Sequence, residues 1–480
     1  MDTEVTLRQL IGGDWLDGEG EQVRSTDPTH PDHVVAVGCL AGPDQVDAAV
    51  RAATAAAPSW AATPYHARGE VLQRAAGVLE REAERYGREL TREEGKTLAE
   101  GVGEVRRAAA VLRYCAGEAD REAGQLFHSP RAGQRILVVH RPVGVVGVIT
   151  PFNFPIAIPA WKIAPALVHG NTVVWKPAGL VPLLAQRLAE ALVEGGLPAG
   201  VLNLVIADSR TGRRIVDHPG VHAVTFTGST GVGRSIAAAC AARGAAVQAE
   251  MGGKNPAVVL ADADLELAAE QVLLGAFRSC GQKCTATSRL VVEDAVADDL
   301  LALLSAGVER LVVGDPLDQA TQMGPLVSAG ARSTVDDGVR KAVAQGARAV
   351  GSPGTQLPDD GWFSRPALLE LPSPSLEVWR EELFGPVLSV LRAGSAAEAF
   401  HLAGDNEFGL SAAVFTRDLG AALAAVDALD VGVLHVNDES AGADPHVPFG
   451  GSRASSLGPK EQGTASREFF TRSTTVYLRG

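Results

Sequence analysis

The sequence lacks the features that mark membrane proteins, secreted proteins and nucleic-acid-binding proteins. It contains no stretch of about 20 apolar residues, the length that a membrane-spanning helix needs. Its N-terminal segment MDTEVTLRQL is acidic, whereas a signal peptide has basic residues followed by an apolar run. The formal net charge is −14, and both nucleic acids and anionic membranes bind basic surfaces. We therefore expect a cytoplasmic protein that acts on small molecules, with no nucleic-acid or membrane partner.

Cysteine is scarce and histidine is scattered. The 5 cysteines are odd in number and widely spaced, which predicts free thiols and not a disulfide framework. His30 and His33 are the closest histidine pair, and they lie in a predicted turn with no second group of ligands nearby. We expect no metal site.

The chain does contain enough residues, 480, for two or three domains. Helical spacing of apolar residues predicts helices between about 45 and 120, and residues 117–134 are polar and rich in turn formers. Short β-branched runs at 136–140 and 143–149 predict buried strands. The β-branched run 473–477 predicts a lone edge strand, and the sheet that it joins can belong to another subunit.

Strands and helices then alternate, which predicts a parallel, doubly wound sheet. The predicted strands are 172–175, 201–205, 223–227 and one ending at Glu250, with helices at 182–193, 211–217 and after Gly231. Ligands bind such sheets at the carboxyl ends of the strands, here the loops after Ile149, Trp175, Thr227 and Ala249. A similar series from 256–260 to about 455 predicts a second α/β domain.

Cys284 lies in the segment GQKC, between a predicted helix at about 264–278 and a predicted strand at 289–292. A loop in this position can hold and expose a side chain, and a thiolate there would be a nucleophile. A single cysteine, however, is more often an inert packing residue, so both interpretations stay open from these residues alone. Cys280, placed on the predicted helix, is interpreted as a packing residue that could form a regulatory disulfide with Cys284.

Three further segments could carry chemistry. Glu250 ends a strand and precedes two glycines, so it could act as a general base, or it could cap a turn or pair with Lys254. Asn153 follows a strand between prolines, and its amide could stabilise an oxyanion, although a turn asparagine is the simpler interpretation. The glycine-containing loop 226–233 leads into a helix, whose N-terminus could bind a pyrophosphate.

Nine motifs, in this order, resemble the aldehyde dehydrogenase superfamily along nearly the whole chain. They are TPFNFP (150–155), WKIAPAL (161–167), GNTVVWKPA (170–178), FTGSTGVG (226–233), EMGGKNP (250–256), GQKC (281–284), EELFGPV (381–387), NEFGLSAAVFT (406–416) and PFGGSRASS (448–456). The resemblance implies that Cys284 attacks the aldehyde, that Asn153 and the Cys284 backbone N–H hold the oxyanion, and that Glu250 activates water to release the acid from a thioester. Lys162 corresponds to a lysine that is placed to relay protons in this superfamily.

The resemblance also implies NAD or NADP as cofactor and an α/β fold. Lys176 corresponds to a lysine at the adenosine ribose, Ser229 to a pyrophosphate contact, and Glu382 with Phe384 to the pair that positions the nicotinamide ribose and ring. The other cofactor residues implied are Thr150, Pro151, Phe152, Gly228 and Gly252. The domains would be a Rossmann-like cofactor domain (1–124 and 143–252), an α/β catalytic domain (253–458) and a small β oligomerisation or bridging extension (125–142 and 459–480). We expect a homodimer or homotetramer.

One position departs from the family pattern. Many NAD-preferring relatives have a glutamate three residues after the lysine that matches Lys176, and this chain has Gly179. A carboxylate there would repel a 2′-phosphate, so its absence predicts tolerance of NADP and leaves a preference for NADP open.

Two longer segments, FRSCGQKCTATSRLVV (277–292) and PFGGSRASSLGPKEQGTASREFFT (448–471), resemble the branch that oxidises α-ketoglutarate semialdehyde (2,5-dioxopentanoate). Such a substrate needs a cation in its tunnel, and Arg278 is the candidate, with a solvated helix arginine as the alternative. Trp161 replaces a second arginine of succinic semialdehyde enzymes, and Phe154 belongs to the same predicted substrate pocket. The alternatives are another semialdehyde or an aliphatic or aromatic aldehyde, then a CoA-acylating enzyme, which the base Glu250 argues against, or a non-catalytic relative.

Overall fold

The computed structural model describes residues 4–351 and 356–480, and its architecture is mixed α/β. The N-terminal part combines short strands with a layer of helices. These elements are β1 (Val5–Thr6), β2 (Gln9–Ile11), β3 (Asp14–Leu16), β4 (Gln22–Thr26), β5 (Val34–Cys39), α1 (Pro43–Ala62), α2 (Tyr65–Arg81), α3 (Ala83–Glu94) and α4 (Leu98–Ala116), followed by a 3₁₀ turn (Gly117–Asp120).

The next part of the chain contains the strands and crossover helices of a parallel sheet. In order they are β6 (Gly124–His128), β7 (Gln134–Pro142), β8 (Val145–Ile149), α5 (Ala157–Val168), β9 (Thr172–Lys176), α6 (Leu183–Glu194), β10 (Leu202–Leu204), α7 (Ser209–Asp217), β11 (Ala223–Thr227), α8 (Thr230–Ala242) and β12 (Ala246–Glu250).

The remaining part forms a second α/β unit and the C-terminal strand. Its elements are β13 (Asn255–Val259), α9 (Leu265–Phe277), a 3₁₀ turn (Arg278–Gly281), β14 (Thr287–Glu293), α10 (Asp294–Arg310), α11 (Ala329–Ala344), β15 (Arg348–Ala349), β16 (Ala367–Glu370), α12 (Glu377–Arg380), β17 (Val387–Ala393), α13 (Ala396–Gly404), β18 (Phe408–Gly409), β19 (Ser411–Phe415), α14 (Leu419–Ala428), β20 (Val433–Val436), β21 (Ser452–Arg453), β22 (Ser456–Leu457), a 3₁₀ turn (Gly463–Ala465), α15 (Ser466–Phe470) and β23 (Thr471–Arg479).

The first large sheet has the strand order β22-β12-β11-β8-β9-β10-β2-β3, with β12 to β10 parallel. Its central strands are buried on both faces, and this is why they read as continuous apolar runs. Val173 and Trp175 belong to the core on one face, and Val174 between them belongs to the core on the other. The sheet therefore holds the carboxyl ends of β8, β9, β11 and β12 along one edge.

The second large sheet has the order β15-β16-β17-β14-β13-β19-β20 and packs against its own apolar core. The chain passes directly from β12 of the first sheet to β13 of the second. As a result, the carboxyl edge of the first sheet faces the segments that precede β13 and β14. These segments contain the residues discussed below.

The α/β fold with parallel sheets is confirmed. The C-terminal strand β23 pairs with β7 of the same chain, in a three-stranded sheet of order β23-β7-β6. Residues 117–134, which are polar and rich in turn formers, include the strand β6 of this sheet. Strands β1 to β5 were not predicted, because each is short and all but the buried β2 are only partly buried. In the described ranges, no helix is long and apolar enough to cross a membrane.

Candidate active site

Cys284 contributes to the walls of two cavities. One has a volume of about 940 Å³ and opens at the carboxyl edge of the first sheet, between that sheet and the segment 382–384. The other has a volume of about 1110 Å³ and is enclosed by α4, α5, α9 and the loop 439–443. A side chain at the junction of two cavities can contact two different ligands at once.

The backbone before Cys284 makes an unusual turn. Ser279, Cys280 and Gly281 have φ values of 51°, 52° and 67°, a left-handed conformation that costs energy for residues with a Cβ atom. Glu100 holds this turn, because its Oε1 accepts hydrogen bonds from Ser279 N (2.8 Å) and Ser279 Oγ (3.0 Å). The prediction that Cys280 lies on the helix is therefore wrong: α9 ends at Phe277, and Cys280 is a buried free thiol in the turn.

The thiol of Cys284 is held in its protonated form. Burial, and then the carboxylates of Glu382 and Glu250, raise the pKa of Cys284 to about 12. Its backbone is fixed from the other side, since Asn255 Nδ2 donates a 2.7 Å hydrogen bond to the Cys284 carbonyl oxygen. A base within reach must remove the proton before this thiol can act as a nucleophile.

Asn153 is buried beside the Cys284 loop. Its Nδ2 donates a 2.8 Å hydrogen bond to the carbonyl oxygen of Gln282, which leaves the second N–H of the amide available. The backbone carbonyl of Asn153 accepts a 2.7 Å hydrogen bond from Lys96 Nζ. The amide is thus held on both sides, as an oxyanion donor requires.

Lys96 is a residue of the site that the sequence analysis missed. Its ammonium is buried between Glu104 (2.6 Å) and Glu94 (3.7 Å). Burial alone would lower the pKa of Lys96, and these carboxylates raise it above its ordinary value. Glu104 Oε1 also accepts hydrogen bonds from the backbone N–H groups of Ile156 and Ala157, both at 3.1 Å, and so fixes the start of α5 just after Asn153. The signal in the sequence was the charged run EEGK directly before the helix cap Thr97.

Glu250 is the last residue of β12 and is buried. Its Oε2 accepts hydrogen bonds from Ser456 Oγ (2.5 Å) and Gly451 N (3.3 Å). Burial, followed by the nearby carboxylate of Glu461, raises the pKa of Glu250 to about 8. A carboxylate with a pKa near the working pH can accept a proton and release it again. Its bonds go to these two groups and not to Lys254, the pairing that the sequence left open.

Lys162 is fully buried on α5 and forms an ion pair with Glu461. Its Nζ also donates to Thr225 Oγ1 (2.9 Å) and to the Phe226 carbonyl oxygen (3.2 Å). The second oxygen of Glu461 accepts a 2.8 Å hydrogen bond from Trp161 Nε1. Glu461 therefore connects Lys162 electrostatically to Glu250. Glu461 was not predicted as a site residue, although it lies in the segment 448–471, which resembles the semialdehyde branch.

All nine residues predicted to bind the cofactor line the 940 Å³ cavity. They are Thr150, Pro151, Phe152, Lys176, Gly228, Ser229, Gly252, Glu382 and Phe384. Two observations fit a phosphate-containing ligand there. The side chain of Ser229 caps no N–H of α8, although it occupies the N-cap position, and within the described residues the buried Thr227 Oγ1 has no hydrogen-bond partner.

Glu382 and Phe384 close this cavity on the side of Cys284. Gly253 N donates a 3.0 Å hydrogen bond to Glu382 Oε1, and a Cβ atom on Gly252 would lie 2.2 Å from Glu382 Oε2. Glycine at position 252 is therefore required for the carboxylate to sit where it does. Phe384 has a φ of 53° and packs edge-on against Phe152, with ring centroids 5.8 Å apart.

The other end of the cavity contains Lys176 and Gly179. Burial lowers the pKa of Lys176, whose Nζ donates to its neighbour Pro177 O at 3.0 Å. A Cβ atom on Gly179 would meet no atom within 4 Å, so the wall is open at this point. Arg210 and Arg213 on α7 also line the cavity. Arg213 is paired with Asp217 and Ser235.

The 1110 Å³ cavity contains the three residues predicted to contact the substrate. Phe154 and Trp161 line it, with the Trp161 ring 5.7 Å from that of Phe449. Arg278 lines it too, but its guanidinium is paired with Glu439 (3.1 Å) and lies 3.8 Å from Glu100. In the described part of the chain, no three His, Cys, Asp or Glu side chains form a group that could hold a metal ion.

Comparison with known proteins agrees with this arrangement. Residues 15–476 match the model of the aldehyde dehydrogenase family. An α-ketoglutaric semialdehyde dehydrogenase of Bacillus subtilis is 40% identical, with 99% of this chain and 98% of the relative covered. A betaine aldehyde dehydrogenase of Sinorhizobium fredii is 38% identical, over 100% of this chain and 98% of the relative.

The fold is shared with solved structures as well. The crystal structure of an NADP-dependent enzyme of Escherichia coli superposes with a TM-score of 0.95 at 34% identity, covering 99% of this chain and 98% of that one. The sequence match and the structural match each extend over nearly the full length. The chain belongs to the aldehyde dehydrogenase family.

Proposed function

We propose that this protein oxidises an aldehyde to a carboxylic acid, with NAD or NADP as the hydride acceptor and Cys284 as the nucleophile. The observation that carries the proposal is the position of Cys284 in the walls of both cavities. A thiol there can bond to an aldehyde in one cavity while a dinucleotide occupies the other. Two similar proteins support this assignment. One is named as a semialdehyde dehydrogenase and the other as an NADP-dependent enzyme.

In the first step, the Cys284 sulfur bonds to the aldehyde carbon and its proton passes to a base. Glu250 is that base in our proposal, because its raised pKa lets the carboxylate take a proton near neutral pH. The carbonyl oxygen becomes an oxyanion. The free N–H of the Asn153 amide and the backbone N–H of Cys284 stabilise it.

A nicotinamide held by the residues of the 940 Å³ cavity would supply the hydride acceptor for the second step, in which the former aldehyde carbon loses its hydride and becomes the carbonyl carbon of a thioester on Cys284. Once Glu250 has released the first proton, it removes a proton from water, and the hydroxide attacks the thioester carbon. The carbon–sulfur bond breaks, and the departing Cys284 thiolate takes the proton back from Glu250 to become the thiol again. We assign Lys162 and Glu461 to carry the proton away from Glu250, because both members of this ion pair are close enough to shift the pKa of Glu250.

We further propose α-ketoglutarate semialdehyde as the substrate. The 40% identity to the Bacillus subtilis enzyme and the basic residues in the 1110 Å³ cavity support a substrate with a terminal carboxylate. The 38% identity to a betaine aldehyde dehydrogenase argues for a direct comparison, because betaine aldehyde is a cation. The anionic semialdehyde and the cationic betaine aldehyde require opposite charges in the lining of the same cavity.

The experiment is a panel of carboxylated, aliphatic, aromatic and quaternary-ammonium aldehydes, each measured with NAD and with NADP by the absorbance of the reduced nicotinamide. We expect the highest kcat/KM for α-ketoglutarate semialdehyde and a loss of at least about 1000-fold in Cys284→Ala. Cys39→Ala is the matched control, since Cys39 lies on β5 outside both cavities. Full turnover by Cys284→Ala would show that the nucleophile is misassigned, and a preference for betaine aldehyde would overturn the substrate.

A further inference from the structure

Most cations that line the 1110 Å³ cavity are already bound to carboxylates of the protein. Lys96 is enclosed by Glu104 and Glu94, and Lys283 Nζ lies 3.5 Å from Glu439. Arg278, the candidate from the sequence, donates to Glu439 at 3.1 Å and is about half exposed. A substrate carboxylate at Arg278 would have to share the guanidinium with Glu439, and it would gain less than at an unpaired arginine.

Arg107 is different. It lies on the face of α4 that lines the cavity, together with Glu100, Gly103 and Glu104, at the spacing of one helical face. Its side chain is 30% exposed, and its nearest carboxylate is Asp444 at 3.7 Å, beyond hydrogen-bond distance. Asp444 itself is 69% exposed and therefore well hydrated. The guanidinium of Arg107 is thus partly desolvated without a bidentate partner.

The position of Arg107 connects it to the reacting end of the cavity. Glu104, one turn earlier on α4, holds the start of α5, and α5 carries Trp161. The rings of Phe154, Trp161 and Phe449 line the same cavity. This arrangement suits a short aliphatic substrate. Its aldehyde would lie at Cys284, its methylene groups would contact the aromatic rings, and its anionic end would lie at α4.

The partial burial of Arg107 also favours binding of a carboxylate. Desolvation lowers the pKa of Arg107, which means that its charge is less well solvated than in water. A carboxylate that bonds to both arms of the guanidinium would restore this solvation, and such paired geometry is what distinguishes arginine from lysine. The remaining arginine of the lining, Arg310, is exposed at the end of α10.

We propose that Arg107, and not Arg278, binds the terminal carboxylate of the substrate. The inference rests on the proposed function, because it assumes that the aldehyde end is captured at Cys284. It adds the residue that makes the cavity selective for ω-carboxylated aldehydes. It also explains how a chain with Trp161 in place of a second tunnel arginine can select an anionic substrate.

The test compares 5-oxopentanoate with pentanal, which has the same chain length and no charge. We measure kcat and KM for the unmodified enzyme, Arg107→Gln and Arg278→Gln. We expect Arg107→Gln to reduce the preference for 5-oxopentanoate by about 20-fold or more through KM, and Arg278→Gln to change it less than about threefold. Arg106→Gln is the matched control, since Arg106 is the next residue on α4 and pairs with Glu84 on the surface.

Binding of glutarate keeps the proposal testable apart from turnover. Calorimetry should show weaker glutarate binding in Arg107→Gln and tighter binding in Asp444→Asn, which removes the competing carboxylate. Unchanged glutarate binding in Arg107→Gln, or a loss of preference in Arg278→Gln alone, would overturn the assignment. If the enzyme oxidises no aldehyde, the proposed function fails, and the glutarate measurement still decides whether Arg107 binds a carboxylate.

Discussion

The ammonium of Lys96 donates a 2.7 Å hydrogen bond to the backbone carbonyl of Asn153 while it forms a buried ion pair with Glu104. This contact joins the N-terminal helical layer to the loop that follows β8. Because Glu104 also holds the first N–H groups of α5, the loop is fixed at its middle and at its end. Stability and the geometry of the oxyanion donor are therefore linked through one lysine.

Replacing Lys96 with methionine should destabilise the protein by roughly 3–5 kcal/mol, because Glu104 and Glu94 would remain buried without their cation. Chemical denaturation followed by circular dichroism measures this free energy of unfolding. Lys341→Met is the control, since Lys341 pairs with Glu377 on the surface and should contribute about 1 kcal/mol or less. Equal effects of the two variants would contradict the buried network.

Removal of the Asn153 amide should reduce kcat by about 100- to 1000-fold and leave KM within a small factor. The reason is that the amide N–H is needed only when the oxyanion forms. Asn153→Ala is measured against Asn437→Ala, whose side chain bonds to Thr416 away from both cavities. If Asn153→Ala raises KM and leaves kcat unchanged, Asn153 binds substrate and does not stabilise the oxyanion.

Glu250 predicts a specific pH dependence. A base must be deprotonated to act, and the pKa of Glu250 is raised to about 8. The rate of acid release should therefore fall as the pH drops below about 8 and level off above it. Stopped-flow measurement of the two steps over this range, with the same buffer ionic strength, tests the prediction.

In Glu250→Gln, the thioester should form slowly, because the Cys284 thiol must then lose its proton to solvent. It should still accumulate, because the variant also lacks the base for water. We expect at most one equivalent of reduced nicotinamide per active site, and a mass increase on Cys284 in intact-protein mass spectrometry. Glu266→Gln on the exposed part of α9 is the control. Normal turnover of Glu250→Gln with an unchanged pH profile would assign the base to another residue.

Much of this architecture could be predicted from the sequence, and the reason is physical. Buried parallel strands such as β11 are apolar along their whole length, and the glycines beside them mark the turns, so local patterns sufficed. The nine ordered motifs predicted the family, and the comparisons confirm it. The nine predicted cofactor residues line one cavity, although their contacts with a cofactor stay predictions.

The rest depended on contacts that are distant in the chain. Glu461 bonds to Trp161 and Lys162 some 300 residues earlier, and no local pattern encodes that pairing. Arg278 appeared to be a free cation in the sequence because Glu439, its partner, lies far along the chain. The left-handed turn at Ser279 and Cys280 was missed for the same reason, since Glu100 on α4 supplies its hydrogen bonds.

The cofactor preference can be tested at Gly179. A side chain can begin there without a clash, because a Cβ atom at this position meets no atom within 4 Å. Its carboxylate would repel a 2′-phosphate, so Gly179→Glu should lower kcat/KM for NADP by about 10-fold or more and leave NAD less affected. Gly179→Gln has the same size without the charge, and it should retain most of the activity with NADP.

Arg210, which lines the same cavity, supplies the complementary measurement, since Arg210→Gln should weaken the binding of NADP more than the binding of NAD. Equal losses in Gly179→Glu and Gly179→Gln would show that the side chain acts by size, and unchanged discrimination in both would mean that the nucleotide is selected at another part of the cavity.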